Sequence, residues 1–538
     1  MRLNEHQRAA VEASGSAVRI DAGAGTGKST TGIARAIWLA GRHDYVRLTT
    51  FSRRGVRVLR ERLANATIPD HIRERIGVDT HHGLAAQLLR DAGSRIGWAP
   101  DWTIISRSEQ EVLECEAKNQ LDLFDVRLRR SGLRTYDELL PAAARLLSEY
   151  DVVAQAASEG IAHLVDEAHD SNDVEWQIDF LLGAESLTVV GDPAQRIYGW
   201  RGARPLERVG EGLNWQRFVL PDNYRSGQAI LDLANRLPIA GRVDLQARRK
   251  GGPGRVEHWA GPDDDELIDR LLKDDELQFA PERWAILARV NRRLAHVAER
   301  LQVAGIPVRA PGLAGATWET PEARAVVDLL HVVANPHDSL HLARVLERAG
   351  WSRGQLLDAE FRRSNPADPC SLWTVVSQPD QPIPEVIRAI DYCRTVEFPA
   401  QESIDELRVS AHLPFGCPHI PLDWTPREFL DWLADPDRDE PEGAPGCYLG
   451  SIHSAKGEEY PNVLVLGMEE GSLPMARWAN ESRPEEERIA EERRALYVAI
   501  TRAKERLILA RRTERWVRGR GLQPTETSRF MSEIGGVQ

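Results

Sequence analysis

The sequence predicts an α/β protein built on two parallel-sheet domains, each carrying a mostly helical insertion. Three observations predict it. First, a short apolar run, Ala17-Val18-Arg19-Ile20, leads into a glycine-rich turn and then into Thr31–Ala40, whose apolar residues recur at helical spacing. Second, apolar runs ending in polar turns recur at Tyr45–Thr50, Ile161–Val165 and Leu187–Asp192. Third, the pattern lapses over residues 341–445 into irregular, helix-rich sequence closing in an acidic Pro/Gly run. It resumes with Tyr448–Ile452, Val463–Gly467 and Arg506–Ala510. A fold interrupted and resumed implies an inserted subdomain.

The glycine-rich turn, Ala22-Gly23-Ala24-Gly25-Thr26-Gly27-Lys28-Ser29-Thr30, has the strand-before, helix-after context of a phosphate loop. Its three glycines let the backbone curl so that successive N–H groups point at phosphate oxygens. The following helix adds the positive end of its dipole. Lys28 is placed to reach the β- and γ-phosphates, and the Ser29 hydroxyl to ligate Mg²⁺. Ala22 stands where the usual pattern has glycine, which is compatible with a negative φ. The bland reading is a glycine-rich turn with an incidental lysine.

With 538 residues the chain is too long for one core. Its 42% hydrophobic and 28% charged content are those of an ordinary globular protein. No apolar run is long enough to span a bilayer, and Met1–Glu5 lacks the apolar core of a signal peptide, so the cytoplasm is expected and a membrane is not. The five cysteines, Cys115, Cys370, Cys393, Cys417 and Cys447, form no CxxC pair. Cys417-Pro418-His419 near His412 is the only local hint of a metal site, and it has no second half. The net charge of −13 argues against a passive nucleic-acid binder coated in positive charge, but not against a locally basic groove. Arginine-rich patches occur at Arg53–Arg62, Arg127–Arg130 and Arg248–Lys250, each equally readable as a solvated face.

Along the chain, Gln7 precedes the loop, and its amide offers a donor and an acceptor suited to an adenine edge. The second strand leads to Phe51 and a helix over about Gly55–Leu63; Thr80-His81-His82 precede another over Leu84–Arg90. An aromatic ring, hydroxyls and arginines at strand ends suit a single nucleic-acid strand, through base stacking and phosphate neutralisation. Residues 91–149 read as mostly helical and polar. Asp166-Glu167 at the tip of the Ile161–Val165 strand suits Mg²⁺ binding and activation of a water, respectively. Gln195 follows the next strand, then Trp200-Arg201; Trp200 is also readable as ordinary core. Tyr224-Arg225, a ring beside a guanidinium, precedes the helical segment Gln228–Arg236. A second α/β pattern comprises the strand Trp284–Arg289 and the helix Leu294–Ala304.

In order and spacing these segments resemble the motif set of superfamily 1 helicases of the UvrD/Rep/PcrA group. The match is strongest at Ala22–Ser29, Val165–Asp170, Gly191–Ala203, Asn223–Ser226, Ile452–Gly457 and Glu491–Arg502. The resemblance implies a P-loop NTPase with two RecA-like domains, 1–90 with 150–222 and 223–340 with 446–538, bearing inserted subdomains at 91–149 and 341–445. It implies ATP and Mg²⁺ as cofactors, single-stranded and tailed duplex DNA as substrates, and 3′-to-5′ movement in repair, replication or recombination. By motif match, Gln7 and Tyr224 resemble the adenine contacts and Glu459 the ribose-side contact. Lys28, Ser29, Asp166 and Glu167 keep the roles above. Gln195 resembles the γ-phosphate sensor, and Arg225 and Arg502 the arginines that reach the γ-phosphate. Phe51, Thr80, His82, Trp200, Arg201 and His453 match positions facing DNA.

The sequence departs from the family at His169, where the acidic motif has Gln. The insertions are also short, and no nuclease-like tail is visible. His169 and the short insertions support a second expectation, an ATP-gated sensor of DNA ends or single strands that unwinds poorly without a protein partner such as a nuclease or a repair or defence factor; the missing tail argues against the larger helicase-nuclease relatives. A small-molecule kinase leaves the later motifs unexplained.

Overall fold

The computed structural model describes residues 2–99, 102–105, 132–310 except 211, and 446–535 except 476–482 and 518–520. It also describes a few positions between 327 and 430. The chain divides into two compact units, one of residues 1–81, 154–314 and 443–538, the other of 82–153 and 315–442.

The first unit contains two six-stranded parallel sheets. In the first sheet, β1 (Ala17–Ala22), β2 (Tyr45–Thr50), β3 (Ile76–Thr80), β4 (Ile161–Val165), β5 (Leu187–Gly191) and β6 (Gln216–Leu220) lie in the order β3-β2-β4-β5-β1-β6. In the second, β7 (Arg255–Gly261), β8 (Trp284–Ala288), β9 (Val308–Arg309), β10 (Cys447–Ser451), β11 (Tyr460–Leu466) and β12 (Ala503–Arg512) lie in the order β7-β12-β11-β8-β10-β9. Every neighbouring pair is parallel, as the recurring strand–helix pattern requires.

Strand β1 is buried along its whole length although it carries two charges. Arg19 and Asp21 lie two residues apart on one face. Arg19 Nε bonds Asp21 at 2.8 Å, its Nη1 bonds the Leu206 carbonyl at 2.8 Å, and Arg217 from neighbouring β6 pairs with the same carboxylate. Burial is tolerated because the charges are mutually satisfied. Ala22 is the last residue of this strand and pairs with Leu220. Extended backbone needs no glycine, which accounts for alanine there.

Helices begin where caps dictate. Helix α1 (Glu5–Val11) starts with a capping box: the Asn4 side chain accepts from the Gln7 N–H at 2.7 Å, and the Gln7 side chain accepts from the Asn4 N–H at 3.0 Å. After the glycine-rich turn comes α2 (Lys28–Ala40). The third helix, α3 (Arg53–Ala64), starts two residues earlier than the sequence pattern implies, because Ser52 Oγ accepts from the Gly55 N–H at 3.1 Å. Helix α4 (His81–Ala92) likewise starts three residues early, directly at the end of β3. Asn172 caps α5 (Asp173–Leu182) through a capping box with Glu175. Helix α6 (Gln228–Arg236) has the bounds that the sequence predicts.

Leu164, Ile20, Leu48 and Ile33 fill the core between the first sheet and α2. Trp284, Ile286 and Leu464 fill one on the second sheet with α7 (Asn291–Val303). A third core gathers Ala24, Ala194 and Ile197 from turns of the first sheet with Tyr497 and Ile500 of α8 (Glu485–Ile500) and Val463 of β11. It ties the phosphate loop of one sheet to the packing of the other.

In the second unit, the described residues of 91–149 are not all helical. Thr103–Ile105 and Leu133–Thr135 pair as short parallel strands, followed by the helix Leu139–Glu149. The β-branched Thr103-Ile104-Ile105 run is fully buried, which favours extended backbone there. Cys417-Pro418-His419, His412, Arg127–Arg130, every cysteine but Cys447 and nearly all of the acidic run before 446 lie outside the described residues. Among the described residues no helix is long and apolar enough to cross a membrane.

Candidate functional site

The register of the first sheet brings the predicted loops together. Asp21 pairs with Gly191, and Val165 with Val189, so the turns after β1, β4 and β5 emerge side by side at the carboxyl ends of adjacent strands. Open parallel sheets bind ligands at this edge.

The phosphate loop is closed by Thr26, whose hydroxyl donates to the Gly23 carbonyl at 2.8 Å. Gly25 and Gly27 adopt φ of 68° and 84°, conformations that disfavour a side chain. A Cβ on Gly25 would also sit 2.6 Å from Asn223 Nδ2 and 2.7 Å from Arg225 Cβ. Lys28 opens α2, with Ser29 and Thr30 half-buried behind it; Arg62 donates to the Thr30 hydroxyl at 2.9 Å. Asn223 is a clamp not assigned from sequence. Its amide donates to the Ala24 carbonyl at 2.6 Å and accepts from the N–H groups of Arg225 and Ser226, both at 2.8 Å.

Gln7 is buried beside this loop. Its Nε2 donates to the Thr26 carbonyl at 3.0 Å while Oε1 accepts from Asn4, leaving one donor and one acceptor of the amide for another partner. Tyr224 is 45% exposed, and its hydroxyl accepts from Asn4 Nδ2 at 2.8 Å. Arg225 bonds Glu459 at 2.6 Å, and Glu459 also pairs with Lys504 at 2.7 Å. Burial works against the Glu459 charge, but Arg225 and Lys504 overcome it and hold the carboxyl down at about 2.

Facing Lys28 is the acidic turn. Burial, then the neighbouring charge of Glu167, pushes the Asp166 carboxyl up to about 7, with the Lys28 charge opposing. Among the described residues, Glu167 is the sole non-glycine with positive φ, at 54°. Asp166 Oδ1 and Glu167 Oε2 are buried without a hydrogen-bond partner, and unsatisfied buried carboxylate oxygens suit a cation and a water. No cluster of three or more His, Cys, Asp or Glu among the described residues could hold a metal by itself. Asp166 Oδ1, a hard oxygen without a partner, and the half-buried Ser29 hydroxyl are donor types that fit Mg²⁺, which takes most of its shell from phosphate and water rather than from a protein cage.

Gln195 Nε2 donates to Asp192 at 2.7 Å, and its Oε1 accepts from Arg502 Nη2 at 3.1 Å. Arg502, from the turn before β12, is fully buried and also donates to the Glu458 carbonyl at 3.0 Å. Burial, then the Arg225 charge, brings its guanidinium down to about 9.

A second group of residues forms a ring cluster. Phe51 stacks on Tyr198 with centroids 5.0 Å apart; His453 and Trp200 lie 5.9 and 6.3 Å from Tyr198. The Arg201 guanidinium sits 5.4–5.8 Å from Phe51, Tyr198 and Trp200. Trp200 is 54% exposed, which excludes its reading as core. Burial, then Arg289, pushes His453 down to about 3, so its ring is neutral. Tyr198, the centre of the cluster, was not singled out from sequence, although it lies in the run Ile197–Arg201. Thr80 is buried at the end of β3. His82 belongs to the second compact unit, where it stacks on Tyr136 at 4.1 Å. Arg248 and Arg249, readable either as a basic patch or as a solvated face, pair with Asp222 and Glu505.

A phosphate loop, an acidic turn and a glutamine on adjacent strands, met by arginines from a second parallel sheet, define a two-sheet P-loop ATPase. Two family models match in sequence order: the UvrD/REP helicase N-terminal domain over residues 3–123 and 113–207, and the UvrD-like helicase C-terminal domain over 218–365 and 437–514. The chain belongs to the UvrD-like helicase family. It is 26% identical to the ATP-dependent DNA helicase PcrA of Leuconostoc citreum, over 99% of this chain and 84% of that one. It is likewise 26% identical to PcrA of Staphylococcus aureus Mu50 and 24% to PcrA of Staphylococcus epidermidis, over 99% of this chain and 86% of theirs.

Proposed function

We propose that this chain is a 3′-to-5′ DNA helicase, an ATP-driven translocase on single-stranded DNA acting in repair, replication or recombination. The observation that carries the reading is the contact between the two halves of the site: Arg502 of the second sheet bonds Gln195 of the first.

In this reading Gln7 and Tyr224 hold adenine, and Glu459 lies on the ribose side. The N–H groups from Ala22 to Thr30 cradle the phosphates. Ser29 and Asp166 would hold Mg²⁺, which when bound neutralises phosphate charge. Glu167 orients the attacking water and takes its proton; Lys28, Gln195, Arg225 and Arg502 stabilise the transferred phosphoryl group. An arginine supplied in this way contributes about 10³–10⁵ in rate in related NTPases. Phe51, Thr80, Trp200, Arg201 and His453 face the strand, and Tyr198 joins them; His82 keeps its proposed DNA contact within its own unit. We take 1–90 with 150–222 and 223–340 with 446–538 as the motor domains, each containing one sheet, and 91–149 and 341–445 as their insertions.

His169 does not favour the reading as an ATP-gated sensor. The ring offers one acceptor and one donor, as the family's glutamine does.

The test is strand separation on duplexes with a 3′ tail, a 5′ tail or blunt ends, beside Lys28→Ala. ATP-dependent separation from the 3′ tail alone is expected. Lys28→Ala is expected to abolish hydrolysis and retain DNA binding. Separation from the 5′ tail would overturn the polarity, and DNA-stimulated turnover in Lys28→Ala would overturn the assigned site.

A further inference from the structure

His169 and Lys456 occupy the space between the hydrolytic turn and the ring cluster. Two elements place them there, the turn after β4 and the turn after β10. His169 is fully buried. Its Nδ1 lies 3.0 Å from the backbone nitrogen of Asp192, which can only donate, so Nδ1 carries a lone pair. Burial, then the charges of Lys456, Lys28 and Arg196, pushes the imidazole well below its ordinary range, and the ring is neutral. Its one proton therefore sits on Nε2.

Three groups face that N–H: Lys456 Nζ at 3.1 Å, Glu167 Oε2 at 3.6 Å and Asp170 Oδ2 at 3.7 Å. The ammonium is itself only a donor, so it cannot accept the proton. It instead pairs with Asp170 Oδ2 and donates to the Gln195 carbonyl at 3.0 Å. Asp170 Oδ2 already takes the ammonium, whereas Glu167 Oε2 is the nearer of the two carboxylate oxygens and is a buried atom without a hydrogen-bond partner, so it is the acceptor that gains most from the ring N–H. The 3.6 Å separation is too long for a bond and needs to close by roughly 0.8 Å; catalytic hydrogen bonds are often long without substrate. On its other side the same ammonium lies 5.0 Å from the Tyr198 ring centroid.

We propose that His169 and Lys456 are positioning residues for hydrolysis: His169 donates through Nε2 to the Glu167 carboxylate and fixes it against the attacking water, and Lys456 directs that donation by engaging Asp170. Because Lys456 also rests on Tyr198, it links the ring cluster to the general base. This rests on the assignment of Glu167 as general base and deepens it.

The test is steady-state ATP hydrolysis by the full chain, with and without a saturating dT oligonucleotide, in His169→Gln, His169→Ala, Lys456→Met and the double variant His169→Ala/Lys456→Met. His169→Gln keeps an acceptor for the Asp192 N–H and a donor for Glu167, and is expected within about threefold of the wild type. His169→Ala is expected to lower kcat about 10²-fold with KM for ATP little changed, the scale of a misplaced reacting group. Lys456→Met is expected to lower the ratio of stimulated to unstimulated rate. The double variant is expected to be no worse than His169→Ala, because the two act through one carboxylate. A His169→Ala kcat within about threefold of the wild type, or multiplicative losses in the double variant, would overturn the proposal. So would failure of Gln to restore the rate. If His169→Ala does not fold, His169→Gln and Lys456→Met carry the test, and an unchanged stimulation ratio in Lys456→Met overturns it. A wild type without DNA-stimulated hydrolysis would overturn the functional reading as well; stimulation in the wild type with unchanged variants overturns this proposal alone.

Discussion

At the scale of single residues, the buried trio His81, Asp179 and His163 has a measurable consequence. His81 Nε2 lies 2.9 Å from Asp179 Oδ1, His163 Nε2 lies 2.8 Å from the same oxygen, and all three side chains are buried. Burial opposes the His81 charge, but Asp179 overcomes it and brings the imidazole up to about 9. Asp179 is held down at about 2, again against burial, chiefly by His81. A raised histidine stabilises the fold fully below its unfolded value near 6.5 and loses that contribution as pH rises through 9. A depressed aspartate stabilises it above its unfolded value and loses that contribution as pH falls through 2. The contribution is on the order of 2–3 kcal/mol. Thermal melts of the wild type are therefore expected to fall in midpoint between about pH 7 and 9.5. His81→Gln is expected to be less stable at pH 7 and to lose most of that slope; an unchanged slope would refute the ion pair. None of this was legible in the sequence, where His81 and Asp179 lie far apart and the run Thr80-His81-His82 drew notice for Thr80 and His82 as positions facing DNA. The phosphate loop was legible because its chemistry is local, with three glycines, a lysine and a serine in one turn.

At the scale of elements, legibility followed burial pattern. Helix α6 was readable end to end because its apolar residues face one side and its bounds coincide with punctuation. The edge strand β7 was not, because its burial is irregular and it carries Arg255, Glu257 and His258 among the apolar residues. Strand β6, the opposite kind of edge, is exposed along most of its length. Such strands are set by their neighbours' hydrogen bonds rather than by their own periodicity. In the ring cluster Phe51, Trp200, Arg201 and His453 were singled out from the sequence but Tyr198 and Lys456 were not, because the members come from separate turns, after strands of the first sheet and after β10 of the second, and only the two sheets together bring them close. Its members differ in what they do for the fold. Trp200 is more than half exposed, so Trp200→Ala is expected to leave the melting midpoint nearly unchanged. Loss of one base-stacking platform is expected to weaken single-stranded DNA binding by about 1–3 kcal/mol. Fluorescence anisotropy with a labelled dT oligonucleotide measures it, and undiminished affinity would remove Trp200 from the DNA face.

At the scale of the whole molecule, net charge and local charge diverge. A chain at −13 repels nucleic acid on average, while Arg201 and Lys456 sit within the ring cluster. Binding is therefore expected to be salt-sensitive but shallow. If three to five phosphates are neutralised, log K against log salt should fall with a slope of about −2 to −3.5. A slope near zero would mean that stacking alone carries binding. A much steeper one would mean a basic track beyond the cluster. The family models span nearly all of the two sheets, and the sequence revealed as much because its motifs keep one order along the chain. The insertion expected at 91–149 came from the resemblance alone, since the short buried strands and helices described within 82–153 carry no shared chemistry of their own.

Glu167 joins these scales through selection. A left-handed backbone costs a residue with a side chain about 1–2 kcal/mol relative to glycine, and position 167 carries that cost at the tip of a buried strand. Mutation towards glycine there would relieve strain and be tolerated by the fold. In the proposed function the loss of the carboxylate, the general base, opposes it. A lineage that ceased to need hydrolysis would drift at this position early, while Gly25 and Gly27, held by geometry, would outlast the activity they serve. If Glu167 is the general base proposed above, the residue at 167 becomes a marker by which working and retired members of such a family can be told apart.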